Sequence, residues 1–133
     1  MPFLTKEQIR KADDVQTEVV PVPEWSGDVL VRGMTGTQRD AFEGEITERR
    51  GKKVTYNLQN FRARLVALTV VDEKGERLFS DTDVEWLGGK SAAALARVFN
   101  KAAELSGISE GDIEDLTKNS PDDQSEGSGS GSA

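Results

Sequence analysis

Apolar residues along this chain occur in short β-rich runs and in stripes with the three- and four-residue spacing of helices. Two short β-rich runs, 17–22 and 28–32, flank residues 24–27 and predict a β-hairpin. Because Pro21 and Pro23 lack the backbone N–H that a ladder uses, the first strand is predicted to lie at a sheet edge.

A second turn composition, at residues 73–76, lies between the β-rich residues 69–72 and the run 77–79. Such a sequence predicts either a small second hairpin or the exit of a helix into a strand.

Helix starts are indicated by hydroxyl side chains followed three residues later by a side chain that can return the hydrogen bond. This spacing occurs at Thr5 with Gln8, Thr35 with Gln38, Thr37 with Asp40, Ser80 with Asp83 and Ser109 with Asp112, and Ser91 alone precedes the longest apolar stripe. The helix that starts near Thr35 is predicted to reach Arg50 and to stop at Gly51. The basic segment 48–54 around this stop is predicted to be an exposed loop.

Two apolar stripes at helical spacing mark the longer helices. Asn57 is predicted to cap the helix of the first stripe, which we expect to be the central core element. The stripes comprise Leu58, Phe61, Leu65 and Leu68 in the first helix, and Leu95, Val98, Phe99, Ala102 and Leu105 in the second.

These elements predict an α+β fold, in which four or more helices pack against a small antiparallel hairpin sheet. A chain of 133 residues has room for one domain, which we place at residues 1–120. Residues 121–133 are rich in Ser, Gly and acidic residues and are predicted to be a disordered acidic tail or an appended linker.

Composition narrows the chemistry. The chain contains neither cysteine nor histidine, so it has no disulfides, no thiolate zinc ligands and no imidazole base. We therefore predict no catalytic centre, cofactor or metal site. No apolar run approaches the ~20 residues of a membrane span, and no membrane association is expected.

The net charge of −7 is concentrated near the C-terminus. Residues 1–103 balance 16 acidic against 16 basic residues, whereas residues 104–133 carry eight acidic residues and Lys118. An acidic end repels phosphate backbones, so we predict no nucleic-acid partner. A solvated tail is the simpler interpretation, and a basic protein surface is the alternative partner.

Three motifs resemble known sites but fit simpler explanations. Residues 88–91 end like a phosphate-binding loop, but Val84 stands where that loop needs glycine. Asp81, Asp83 and Glu85 alternate like calcium ligands, but Trp86 occupies the position of the turn glycine, so helix capping explains them better. The basic run within 48–54 follows several glutamates and is interpreted as a solvated loop or a contact for an acidic partner.

Several short segments, in order, carry a resemblance to a known family. They are residues 5–9, 12–14, 22–25, 29–33, 39–43, 62–67, 71–75, 78–84, 87–95, 103–107 and 118–120. Across roughly residues 4–120 the chain resembles the tail assembly chaperones of siphophages that infect actinobacteria.

The resemblance implies a protein without enzymatic activity that binds the tape measure protein, keeps it soluble and helps recruit major tail tube subunits. It also implies self-association and association with a longer form made by a ribosomal frameshift. Such a protein would act in the host cell cytoplasm and be absent from the mature virion.

The candidate partner-binding residues are the apolar and aromatic side chains that the sequence suggests are exposed. They comprise the edge strand with Trp25, the Trp86 loop and one helical stripe, namely Val20, Val22, Trp25, Trp86, Leu95, Val98 and Phe99. Core packing is the alternative for the two tryptophans. The rival functions are a structural virion component, such as a tail or connector subunit, and a small hydrolase or nucleotide-binding enzyme that uses carboxylates alone.

Overall fold

The computed structural model describes residues 3–118 and confirms the α+β class. The helices and strands of this part of the chain are α1 (Lys6–Lys11), β1 (Thr17–Val22), β2 (Gly27–Arg32), α2 (Gly36–Ile46), β3 (Thr47–Arg50), β4 (Lys53–Tyr56), α3 (Phe61–Thr69), β5 (Val70–Val71), α4 (Val84–Leu87), α5 (Ala92–Leu105) and α6 (Glu110–Lys118). Single 3-10 turns at Pro23–Trp25 and Asp81–Asp83 precede β2 and α4.

The main sheet is antiparallel and has the order β1-β2-β5, so β1 lies at an edge, as Pro21 predicts. Val20 lies opposite Val29, and Pro21 lies opposite Asp28. The Gly33 N–H donates to the Gln16 carbonyl at 2.9 Å and extends the ladder beyond β2. The sequence 69–79 forms both predicted alternatives, because α3 leads directly into β5 and Val71 bridges to Arg77.

The core lies between one face of this sheet and helices α2, α3 and α5. Val22, Val31 and Val70 project from the sheet and are fully buried. Phe61 joins the helices, because its ring centroid lies 5.4 Å from that of Phe42 and 5.4 Å from that of Phe99. The prediction that α3 is the central core helix is confirmed by its buried residues, which include Leu65 and Val66.

Most predicted helix starts are confirmed. The Thr5 and Thr35 hydroxyls accept from the Gln8 and Gln38 N–H groups, and both glutamine side chains return the bond. Three other predicted caps also form. Ser91 Oγ accepts from the Ala94 N–H, and the Asp83 carboxylate accepts from the Ser80 N–H. Ser109 and Asp112 exchange a pair of bonds between the side chain of each and the N–H of the other.

Three local predictions are wrong. Helix α2 begins at the Thr35 cap, not at Thr37, and ends at Ile46 instead of Arg50. The basic segment then forms the β3–β4 hairpin, not a loop, with Arg50 opposite Lys53 and Gly51 turning at φ +63°. The Asn57 N–H closes the hairpin by donating to the Ile46 carbonyl, a bond that an uninterrupted helix would not allow.

Asn57 does not cap α3, which is the third error. Its side-chain oxygen accepts from the Gln59 N–H in a local turn, and Asn60 occupies the cap position of the helix. Leu58 therefore precedes the helix, although it still packs against the core.

No helix within the described residues is long and apolar enough to cross a membrane. The predicted domain boundary at residue 120 and the predicted disordered tail at 121–133 lie outside the described residues.

Candidate functional site

Trp25 and Trp86, which lie far apart in sequence, line one open groove. Phe79, Leu87 and Lys90 complete its lining, and its volume is about 330 Å³. We call these five residues the tryptophan groove.

The two walls of the groove come from different parts of the chain. Trp25 ends the 3-10 turn after β1 and is half-buried against the core. The single Nε–H of Arg97 donates a bifurcated hydrogen bond to the two carboxylate oxygens of the nearby Glu24, at 2.9 and 3.1 Å, and this bond connects the turn to α5. The hydrogen bond with Arg97 lowers the pKa of Glu24 below its usual value.

Trp86 forms the opposite wall and is 49% exposed. Its ring meets that of Phe79 edge to face, with the centroids 5.8 Å apart and the planes at 75°. Its indole N–H donates to Asp83 Oδ1 at 2.9 Å. The other carboxylate oxygen of Asp83 accepts from the Ser80 N–H at 2.8 Å.

The groove therefore presents an exposed aromatic side chain whose orientation is fixed before any partner arrives. The Ser80 N–H, and then the Trp86 indole, hold the pKa of Asp83 below the usual value of an aspartate. A half-exposed tryptophan held in one geometry loses little conformational entropy on binding, which is typical of an interface anchor.

Asp83 gives this site a pH dependence of known sign. Because its pKa is lowered in the folded state, its contribution to stability is present above the unfolded pKa and is lost as the pH falls through the folded value. The difference in unfolding free energy between the wild type and Asp83→Asn is therefore expected to narrow below about pH 4. Urea unfolding of both proteins between neutral and acidic pH measures this difference in unfolding free energy. A difference that does not change with pH would show that ionised Asp83 does not stabilise the fold.

The structure separates the seven candidate residues into two groups. Trp86 is exposed and Trp25 is half-buried, so these two are accessible to a partner. The expected exposure is wrong for the five others, because Val20, Val22, Leu95, Val98 and Phe99 are buried. They are buried because the inner face of β1 and the stripe of α5 pack against each other and form part of the core.

Phe79, Leu87 and Lys90 were not among the predicted site residues. The sequence places Phe79 in the β-rich run 77–79 and Lys90 in the motif that resembles a phosphate-binding loop. Their place beside Trp25 depends on how α4 packs against α3, which no local pattern encodes. Ser91, the last residue of that motif, caps α5 through the Ala94 N–H at 3.2 Å.

Within the described residues, no group of three or more acidic side chains is arranged to hold a metal ion. Asp81, Asp83 and Glu85 instead surround the start of α4, where Asp81 pairs with Arg77 at 3.0 Å.

An exposed aromatic groove on a small α+β domain is typical of a protein that binds other proteins. The sequence matches the family described as phage tail assembly chaperone over residues 6–125, and the protein belongs to this family. It is thus an assembly chaperone and not an enzyme.

The fold is shared with a solved relative. The structure of the bacteriophage HK97 tail assembly chaperone superposes with a TM-score of 0.54 and 21% sequence identity, covering 78% of this chain and 95% of that one. At this identity the likeness concerns the fold alone. No curated protein matches the sequence significantly.

Proposed function

We propose that this protein is the tail assembly chaperone of a siphophage of actinobacteria, and that it binds the tape measure protein through the tryptophan groove. Binding would keep that long helical protein soluble in the host cytoplasm while major tail tube subunits are recruited around it. The observation that carries the proposal is the exposed, oriented Trp86 in a member of the tail assembly chaperone family.

The groove suits a helical client with a repeated apolar stripe. Its aromatic and aliphatic lining would cover one or two apolar side chains of such a helix, and Lys90 would meet an acidic neighbour. One groove of about 330 Å³ buries little area, so stable coating requires many copies along one client. Because each single contact is small, we propose that copies are displaced one by one as the tube subunits assemble and that the chaperone is absent from the mature virion.

The tape measure protein of the same phage is the direct test. Co-expressed with the wild type, it is expected to stay soluble, and Trp86→Ala is expected to weaken binding at least about tenfold because truncating an anchor costs ~2 kcal/mol or more. Copurification and titration of the purified client fragment measure the loss. Thermal unfolding of the same variant measures any loss of stability separately, because the ring also contacts Phe79 and donates to Asp83.

Glu85→Ala is the matched control, because Glu85 neighbours Trp86 on α4, is exposed and lies outside the groove lining. It should bind the client like the wild type. Equal binding by both variants would place the client elsewhere. Stoichiometric amounts of this protein in purified virions, detected by mass spectrometry, would instead identify a structural component.

A further inference from the structure

The face of the main sheet that points away from the core carries a row of apolar side chains. Val19 lies directly opposite Leu30, and Leu30 lies directly opposite Val71, so the row crosses all three strands. None of the three packs in the main core clusters, but Val71 is only 5% exposed and Leu30 is partly buried. Val19 is 60% exposed, and Leu78, just beyond β5, is 54% exposed.

Beside this row is an open groove of about 540 Å³ with an acidic rim. Leu30, Val71 and Leu78 supply much of its apolar lining. Its charged residues are Asp28, Asp72, Glu73, Glu76 and Lys74, four acids against one base. We call this the sheet groove. It lies apart from the tryptophan groove, with which it shares no lining residue.

The N-terminal segment, residues 3–11, has exposed apolar and basic side chains that complement the apolar lining and acidic rim of the sheet groove. Helix α1 buries none of its residues, and Phe3, Leu4 and Ile9 are all exposed. Leu4 precedes the Thr5 cap and Ile9 is the fourth residue of the helix, the two positions that meet in a hydrophobic staple. The helix carries three basic residues, Lys6, Arg10 and Lys11, against Glu7.

We propose that residues 3–11 of one copy dock in the sheet groove of a second copy. The apolar side of α1, formed by Leu4 and Ile9 together with Phe3, would cover Leu30 and Leu78. Lys6, Arg10 and Lys11 would then meet the acidic rim, which gives the contact both its apolar area and its charge complementarity. This inference does not depend on the tryptophan groove or on its client.

A short helix with no buried residue has little reason to remain ordered in isolation, because helices under ~12 residues are marginal in water. Docking on a neighbour supplies the missing packing. The docking segment and the sheet groove are different surfaces, so two copies exchange segments reciprocally or each copy engages the next one.

Sedimentation velocity of the full chain over a range of concentrations tests the proposal. The wild type is expected to self-associate, and Ile9→Asp and Leu78→Asp should each weaken association about tenfold or more by placing a charge in an apolar contact. Both positions are exposed in the single chain, so the thermal unfolding midpoint should stay close to that of the wild type.

Exchanging the charges of α1 and of the rim of the sheet groove tests whether these two surfaces contact each other. The double variant Lys6→Glu, Arg10→Glu should weaken association, and adding Glu73→Lys and Glu76→Lys to the same chain should restore it. Trp86→Ala should associate like the wild type, which separates this contact from client binding. A monomer at every concentration, or association unaffected by Ile9→Asp and Leu78→Asp, overturns the proposal. So does failure of the charge exchange to restore association.

Discussion

Phe99→Ala is expected to destabilise the domain by about 3–5 kcal/mol, the cost of removing a large buried aromatic side chain. Phe99 is 2% exposed, its ring centroid lies 5.4 Å from that of Phe61 with the planes tilted by 55°, and the Arg62 guanidinium lies 5.4 Å from the Phe99 centroid. The lost ring leaves a cavity where α3 and α5 meet. Because small domains have a total stability of only about 5–15 kcal/mol, urea unfolding will show a large fall in midpoint.

Phe3→Ala is the matched control for this cavity, because Phe3 is 86% exposed and its truncation should change stability by less than about 0.5 kcal/mol. A Phe99→Ala protein that unfolds like the wild type yet fails to bind its client would show that Phe99 belongs to an interface. Because Phe99 is buried, we expect instead that its truncation lowers the stability of the domain.

Gly33→Ala is expected to destabilise the domain by about 1–3 kcal/mol through overpacking. A Cβ at position 33 would lie 2.6 Å from the Leu105 carbonyl oxygen, which belongs to rigid backbone at the end of α5. Gly33 cannot retreat easily, because its N–H is bonded to the Gln16 carbonyl and the next N–H, that of Met34, donates to Ser106 Oγ at 2.9 Å. Denaturant unfolding measures the loss.

Gly44→Ala makes the same chemical change as Gly33→Ala but is expected to raise the stability of the domain. Gly44 lies inside α2, is exposed, and a Cβ there would meet no atom within 4 Å. Alanine is favoured over glycine in a helix by about 1 kcal/mol, so this variant should be more stable than the wild type. If both alanines had the same effect, the close approach of β2 to α5 would not be the cause.

The local sequence predicted those elements whose stabilising bonds are themselves local. The helix starts at Thr5, Thr35, Ser91 and Ser109 follow from side chains that satisfy free amides three residues away. The first hairpin was equally predictable, because two β-rich runs flank a turn and Pro21 indicates an edge strand.

The β3–β4 hairpin could not be predicted in the same way. Strand β3 has three charged residues among its four and no apolar residue, so its composition favours a longer α2 followed by a loop. The formation of the hairpin depends on a bond between Ile46 and Asn57, which are separated by the whole hairpin. Such pairing is decided by tertiary structure rather than by periodicity.

The candidate site was predicted only in part for a related reason. Periodicity identified the stripe of Leu95, Val98 and Phe99, but an apolar stripe has the same spacing whether it faces the core or a partner. The tryptophans were identified by their chemistry. That they share one groove with Phe79 depends on contacts among elements distant in sequence, which a single sequence does not reveal.

The free edge of the main sheet limits how this protein joins others. The bond from Gly33 to Gln16 sets the alternation of the β1 ladder, so Thr17, Val19 and Pro21 direct their backbone groups away from β2. Pro21 has no backbone N–H, so the row of donors that an added strand would pair with is interrupted at this position. The missing donor therefore disfavours continuous strand addition at this edge, which would otherwise be a template for aggregation between copies of the protein.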